Sequence, residues 1–231
     1  MLFYGIDVYY IILVLPALAF ALWAQAKVNS AFNHYSAVYT GSGLTGADAA
    51  RMILDRSGLQ DVRIEQIEGR LSDHFDPRTG VIRLSRDVFY GQTVAAVGVA
   101  AHECGHAIQY AEGYFPIRVR SAIVPATQIG SYLAFPLFLL GLLFSYPALM
   151  NAGILLFALV AFFQLVTLPV EYNASHRAVE ILSSSGMVSD AEEVGVRQVL
   201  SAAALTYVAA LATALANLLR LILIAGRRNR D

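Results

Sequence analysis

Charge is scarce in this sequence. Lysine, arginine, aspartate and glutamate make up 14% of its 231 residues, and apolar residues make up 57%. A typical soluble domain is about a quarter charged and about half apolar, so the deficit points to a bilayer as part of the solvent. Neither sign is in excess. The formal net charge is −1, which excludes the basic surface that nucleic acid requires. A single cysteine, Cys104, excludes an internal disulfide. Internal repeats are absent, and few charges interrupt the apolar segments, which leaves little to support a transporter. The N-terminus lacks a basic start and a clean small-residue cleavage site, so its apolar run reads as a retained helix rather than a cleaved leader.

What is present is four long apolar segments, each near the roughly 20 residues that a helix needs to cross a bilayer. The first is "VYYIILVLPALAFALWAQA", Val8 to Ala26, with Tyr9, Tyr10 and Trp23 suited to the interfaces. The second and third run from about Ile129 to Met150 and from about Ala152 to Val170. Only "YPALMNAG" separates them, which predicts a tight helical hairpin. The fourth, Ala202 to Gly226, carries Arg220, which must snorkel or face protein. The expected organisation is therefore a first span over 1–26, an α+β region over 27–128 and a helical hairpin over 129–170. A polar helix over 171–201 and a spanning or interfacial helix with a basic tail over 202–231 complete it. The fold class is an α-helical membrane protein with about four transmembrane helices and a small α+β domain. Two spans lie between the two polar stretches, so both stretches face the same side.

Local signals subdivide the polar regions. "LTGADAARMILDRSGL" is an amphipathic helix with a Thr45–Asp48 capping box, closed by Gly58. "DVRIEQI" reads as a strand, and "LSDHFDPRTGVIRLS" as a Pro77–Gly80 turn leading into a strand over Val81 to Ser85. That last strand is a candidate free edge on which a peptide could lie. A long helix follows from about Gln92 to Ala111. After the hairpin, "EYNASHRAVEILSSSG" is helical and closes at Gly186, and Ser189 with Glu192 caps a helix that runs on into the fourth apolar segment.

The helix over Gln92 to Ala111 contains the chemistry. In "AAHECGHAIQY", His102 and His106 are four residues apart and stack on one helical face, within reach of one ion. Glu103 is about 100° round the helix, badly placed as a ligand and well placed to hold a water on the ion. The pattern is H-E-x-x-H. Zinc lowers the pKa of such a water towards about 7, and an adjacent carboxylate can take its proton. Gly105 and Ala101 are read as leaving room beside the ion, and Cys104 as a small core residue.

A catalytic zinc takes three protein ligands. No third histidine follows closely, because Gly113 and Pro116 end the helix. His34, His74 and His176 remain, and a glutamate from a second helix is the other solution. Glu171 fits best, at the start of the polar stretch that follows the third apolar segment. Glu112 and Glu180 are the alternatives, and a first-turn carboxylate favoured by the helix dipole is the bland reading of Glu171.

"AAHECGHAIQY", "LSDHFDPRTGVIRLS", "LTGADAARMILDRSGL" and "PVEYNASHRAVEIL" together resemble the bacterial membrane-bound neutral zinc metallopeptidases of the YugP type, over nearly the whole chain. The resemblance implies a gluzincin-like zinc site on His102, His106 and Glu171, with Glu103 as general base. Gluzincins often carry an aspartate four residues after the ligand glutamate, which orients a zinc histidine. Here that position is Ser175, and Ser175 or Asn173 is expected to take over part of the role. Arg177 is a candidate for holding a carboxylate or the substrate backbone, and His74 for stabilising the oxyanion.

The expected function is a zinc-dependent endopeptidase in a bacterial plasma membrane, acting on membrane or membrane-proximal proteins. Its expected partners are a protein or peptide substrate and the lipid bilayer. A noncatalytic zinc-binding membrane scaffold is the alternative. Lys27, Arg118, Arg120, Arg177 and Arg197 flank the spans on the side of the polar regions, against Arg227, Arg228 and Arg230 after the fourth, and this bias favours a cytoplasmic site.

Overall fold

A computed structural model describes residues 7–228; Arg230 of the basic tail lies outside them. Seven helices and three strands are described. A π-helical turn, Tyr10–Val14, leads into α1, Leu15–Tyr35, and α2 is Gly46–Arg56. The strands are β1 Arg63–Ile67, β2 His74–Asp76 and β3 Val81–Ser85. Then come α3 Arg86–Phe89, α4 Val94–Ala111, α5 Phe115–Leu143, α6 Pro147–Ser184 and α7 Asp190–Arg228. Four helices are long and apolar enough to cross a membrane: Tyr10–Tyr35, Phe115–Leu143, Pro147–Ser184 and Asp190–Arg227. The chain divides into two compact units. One is Met1–Ala24, Val119–Leu168 and Thr206–Asp231, and the other is Gln25–Arg118 and Pro169–Leu205.

The second unit carries the sheet and α4. The Thr45 side chain accepts from the Asp48 N–H while the Asp48 carboxylate accepts from the Thr45 N–H, so α2 begins on a full capping box. It stops where Gly58 takes a φ of 75°. The sheet order is β1-β3-β2, with β3 parallel to β1 and antiparallel to β2. This corrects the expectation of a free edge along Val81 to Ser85: β3 is paired on both sides, its burial is nearly continuous, and β2 is an edge. An edge is set by which strand finds a partner, and the β1–β3 crossover inserts β3 centrally.

Thr93 caps α4, its side chain accepting from the Ala96 N–H. The helix is built from small residues on every face, and a helix apolar all round is a buried one. It packs with Ile53 and Leu54 of α2, Ile82 and Leu84 of β3 and Val196 of α7 into one core. Gly105, expected to leave room beside an ion, instead turns its hydrogen to the backbone of α6. A Cβ there would lie 2.7 Å from the Ala174 carbonyl oxygen of α6, so the glycine serves close contact between two backbones.

The first unit contains the hairpin of α5 and α6. The turn lies over residues 144–146, and Pro147 opens α6. The connection is therefore shorter than "YPALMNAG", and α5 begins at Phe115 rather than near Ile129. Two polar residues, Ser145 and Asn151, interrupt the run here, and the chain turns at the first. Gly153 lets the hairpin close, since a Cβ there would meet the Ala134 carbonyl at 2.6 Å. Arg220 faces protein: its Nη2 lies 2.7 Å from Asp7 Oδ2, and its guanidinium sits 5.1 Å from the Tyr10 ring centroid.

A further difference concerns Glu171. α6 is unbroken from Pro147 to Ser184, so Glu171 sits mid-helix and not in the first turn of a new one. That removes the helix-dipole account of its charge.

Candidate metal centre

α4 and the part of α6 from Pro169 onward, both within the second unit, supply the site. α4 brings His102, Glu103 and His106, and α6 brings Glu171, Asn173, Ser175 and Arg177. The i, i+4 spacing stacks the two imidazoles with ring centroids 4.7 Å apart. Both turn Nε2 to one carboxylate oxygen. His102 Nε2 lies 3.3 Å and His106 Nε2 3.5 Å from Glu171 Oε2, and Glu171 is only 2% exposed. A buried carboxylate is costly without cations around it, and the neighbours here are two ring nitrogens.

The donor set fits zinc. A tetrahedral ion with bonds of about 2.0–2.1 Å holds its ligand atoms roughly 3.3–3.4 Å apart, close to the two separations found. One ligand atom from each of His102, His106 and Glu171 lies within 4.8 Å of the other two. Two imidazole nitrogens and a carboxylate oxygen are the N/O donors zinc takes, and three such ligands leave the fourth position open.

Glu103 stands beside this group, 7% exposed. Its Oε2 accepts the backbone N–H of Phe75 on β2 at 2.9 Å. β2 is tied down in turn. Asp73 Oδ1 accepts the Ser85 N–H at 2.7 Å, and the Ser85 hydroxyl donates to the same carboxylate. Burial pushes the Asp73 carboxyl above its ordinary value, with the nearby Glu103 charge adding to it, although the Ser85 bonds pull the other way. Asp76, at the far end of β2, is held at about 2, chiefly by a bond from Arg83. For His106, burial acts downward, but bonding to Glu171 and the charges of Glu103 and Glu171 outweigh it and raise the imidazole.

The remaining predicted residues divide clearly. The Ser175 hydroxyl lies 3.2 Å from His102 Nδ1. Asn173 Oδ1 accepts from Arg177 Nε at 2.8 Å, and Arg177 Nη2 reaches Glu112 Oε2 at 2.7 Å. Glu112 is therefore engaged outside the metal group. His176 and Glu180 lie 3.7 Å apart on an exposed face, and His34 packs edge-on to Tyr35. His74 is exposed on β2 and bonds the Ser72 carbonyl through Nδ1. Cys104 is buried against the Ala50 carbonyl, and burial pushes its thiol up.

Sequence reasoning missed Gln109. It is fully buried, and its Oε1 lies 3.1 Å from His106 Nδ1. The available signal was its place three residues after His106, on the same helical face. The anchoring of Glu103 by Phe75 was also missed, because a backbone amide leaves no trace in residue identity.

The family described as "Putative neutral zinc metallopeptidase" matches residues 10–226. The chain belongs to that family. It is also 49% identical over 215 residues to "Putative membrane protease YugP" of Bacillus subtilis (strain 168), covering 93% of this chain and 96% of that protein. No solved structure matches. The matched span includes α4 and the part of α6 that carries Glu171, so the whole candidate centre lies within the family's extent.

Proposed function

We propose that this family member is a zinc-dependent endopeptidase of the membrane, with His102, His106 and Glu171 as metal ligands and Glu103 as general base. The observation that carries the reading is the pair of Nε2 atoms converging on Glu171 Oε2 at 3.3 and 3.5 Å, with Glu103 next to them on α4. Zinc held there supplies a Lewis acid that polarises the scissile carbonyl and acidifies a water.

The chain's own residues do the rest. Phe75 N–H engages Glu103 Oε2, which leaves Oε1 to take the proton of the attacking water. As the carbon–nitrogen bond breaks, Glu103 returns that proton to the leaving amine. Ser175 orients His102. β2 offers an edge on which a peptide backbone can align. His74 is the proposed oxyanion donor. Its Nδ1 already serves the Ser72 carbonyl, so Nε2 is the nitrogen left to face substrate.

Four apolar helices support a bilayer-spanning chain and substrates that are membrane proteins or lie close to the membrane. The bias of Lys27, Arg118, Arg120, Arg177 and Arg197 supports a plasma-membrane protein with the site on the cytoplasmic face. The decisive experiment measures zinc content and cleavage of casein and of membrane proteins by purified wild type beside Glu103→Gln. Zinc in both with cleavage only by wild type is expected. Equal cleavage by both removes the general base from the proposal, and zinc without cleavage in either favours a scaffold.

A further inference from the structure

We infer that Gln109 is a positioning residue that fixes the tautomer of His106 and ties that ligand to the backbone beside Glu171; the inference rests on the zinc reading of the site. Gln109 is wholly buried within α4. Its amide has three neighbours. Nε2 donates to the Val170 carbonyl at 2.9 Å and to Asn173 Oδ1 at 2.9 Å, and Oε1 lies 3.1 Å from His106 Nδ1.

Chemistry sets which way round this amide must be. A backbone carbonyl only accepts, so the Gln109 atom facing Val170 is the NH2. Arginine only donates, so the Asn173 atom bonded by Arg177 Nε at 2.8 Å is the oxygen. Both hydrogens of the Gln109 NH2 are therefore spent on acceptors, and its carbonyl oxygen is what His106 meets. Two acceptors cannot bond each other, so His106 Nδ1 carries the proton. In neutral His106 the lone pair is then on Nε2, the nitrogen that points at Glu171 Oε2 from 3.5 Å. With Nδ1 protonated, Nε2 is the nitrogen free to ligate, and it faces the same carboxylate oxygen as His102 Nε2.

The amide also links two helices. Val170 is the residue immediately before Glu171, so one Gln109 side chain fixes the ring of one proposed ligand on α4 and the backbone next to another on α6. Arg177 extends the chain of bonds outward, from Asn173 to Glu112 at 2.7 Å. Gln109 touches neither metal nor substrate in this account, and its effect runs entirely through His106 and α6. Outer partners of this kind typically change metal affinity about 10- to 100-fold.

The test uses the full-length protein in detergent and zinc itself as the probe. Zinc affinity of wild type and Gln109→Met is measured by chelator competition, alongside thermal unfolding of each metal-free protein. A 10- to 100-fold weaker affinity in the variant, with metal-free unfolding little changed, is the expected result. Unchanged affinity overturns the inference, as does a loss of metal-free stability with affinity intact, which would make Gln109 a packing residue only. Should Gln109→Met fail to fold, nitrogen-15 spectra of zinc-loaded wild type decide the matter. His106 bound through Nε2 with a protonated Nδ1 supports the assignment, and coordination through Nδ1 overturns it. Wild type that binds no zinc at all would instead sink the function proposed above, so the two failures are distinguishable.

Discussion

The Phe75 backbone N–H donates to Glu103 Oε2 at 2.9 Å, so the edge strand of the sheet holds the proposed general base in place. A glutamine at position 103 keeps a carbonyl oxygen for this bond while losing the ability to take a proton. Glu103→Gln should therefore fold and bind zinc like wild type. Peptide hydrolysis should fall about 10²- to 10⁴-fold, the usual contribution of a general base. Zinc content and a peptidase assay on the same preparation check this. A variant that loses its zinc would show that Glu103 helps to hold the metal.

The proposed ligand set predicts a different pattern at Glu171. Its carboxylate is 2% exposed and lies within 3.5 Å of both imidazoles. Glu171→Gln conserves shape and removes the anionic donor. Zinc affinity should drop by more than the roughly 10- to 100-fold typical of outer partners, and activity should fall with it. A chelator should silence wild type reversibly, with added zinc restoring turnover. Near-normal zinc binding by Glu171→Gln, measured by competition, would move the third ligand elsewhere.

Much of this was legible because it rests on local physics. The Thr45–Asp48 capping box follows from helix-end chemistry, the stacking of His102 and His106 from their i, i+4 spacing, and the nearness of Glu171 to them from segment order, although Glu171 does not begin a helix. What was not legible depends on partners distant in sequence. Val81 to Ser85 looked like an edge because nothing in its residues records that β1 pairs beside it. The hairpin turn was misplaced because Ser145 and Asn151 both interrupt the apolar run from Phe144 to Gly153, and residue identity does not say which of them marks the turn. Gly105 looked like space for an ion, and its real neighbour is the Ala174 backbone, 69 positions later in the numbering. Gln109 carries no mark in the sequence of the burial that obliges its amide to find partners.

Close contact at Gly105 makes that position intolerant of a side chain. A Cβ would lie 2.7 Å from the Ala174 carbonyl oxygen and 3.1 Å from the Ala174 Cα, both backbone atoms that cannot swing aside. Gly105→Ala should push α4 from α6, destabilise the fold by about 1–3 kcal/mol despite alanine's better helix propensity, and weaken zinc binding. Gly226→Ala, where no heavy atom lies within 4 Å, is the control and should be neutral or slightly stabilising. Thermal unfolding of both variants compares the two sites, and equal behaviour would contradict the close approach.

Acid should loosen the end of β2 through Asp76. Its carboxyl is held at about 2, against an ordinary 3.8, by bonds from Arg83, the Arg78 N–H and Thr79. A carboxyl with a depressed folded pKa stabilises the fold above its unfolded value and loses that contribution as pH falls through the folded value. The loss should therefore fall between about pH 4 and pH 2. The unfolding midpoint of wild type should decline across this window, and Asp76→Asn should lack that part of the decline. Parallel pH profiles for the two proteins would show that Asp76 carries no such linkage.

The Asp7–Arg220 pair should behave as a unit, because each charge sits in an apolar setting with the other. Arg220 donates through Nε at 2.8 Å and through Nη2 at 2.7 Å, and the two side chains are only 17% and 12% exposed, Asp7 first. Removing one partner leaves the other charge poorly compensated, so Asp7→Asn or Arg220→Met alone should cost about 1.5–3 kcal/mol, the range for a hydrogen bond to a charged group. The double variant should lose less than the sum of the two, since replacing both members of a buried pair with neutral groups removes the desolvation cost as well. Unfolding free energies of the four proteins in one detergent give the coupling directly. Strictly additive losses would mean that the two charges are solvated independently, and that Arg220 reaches the interface without Asp7.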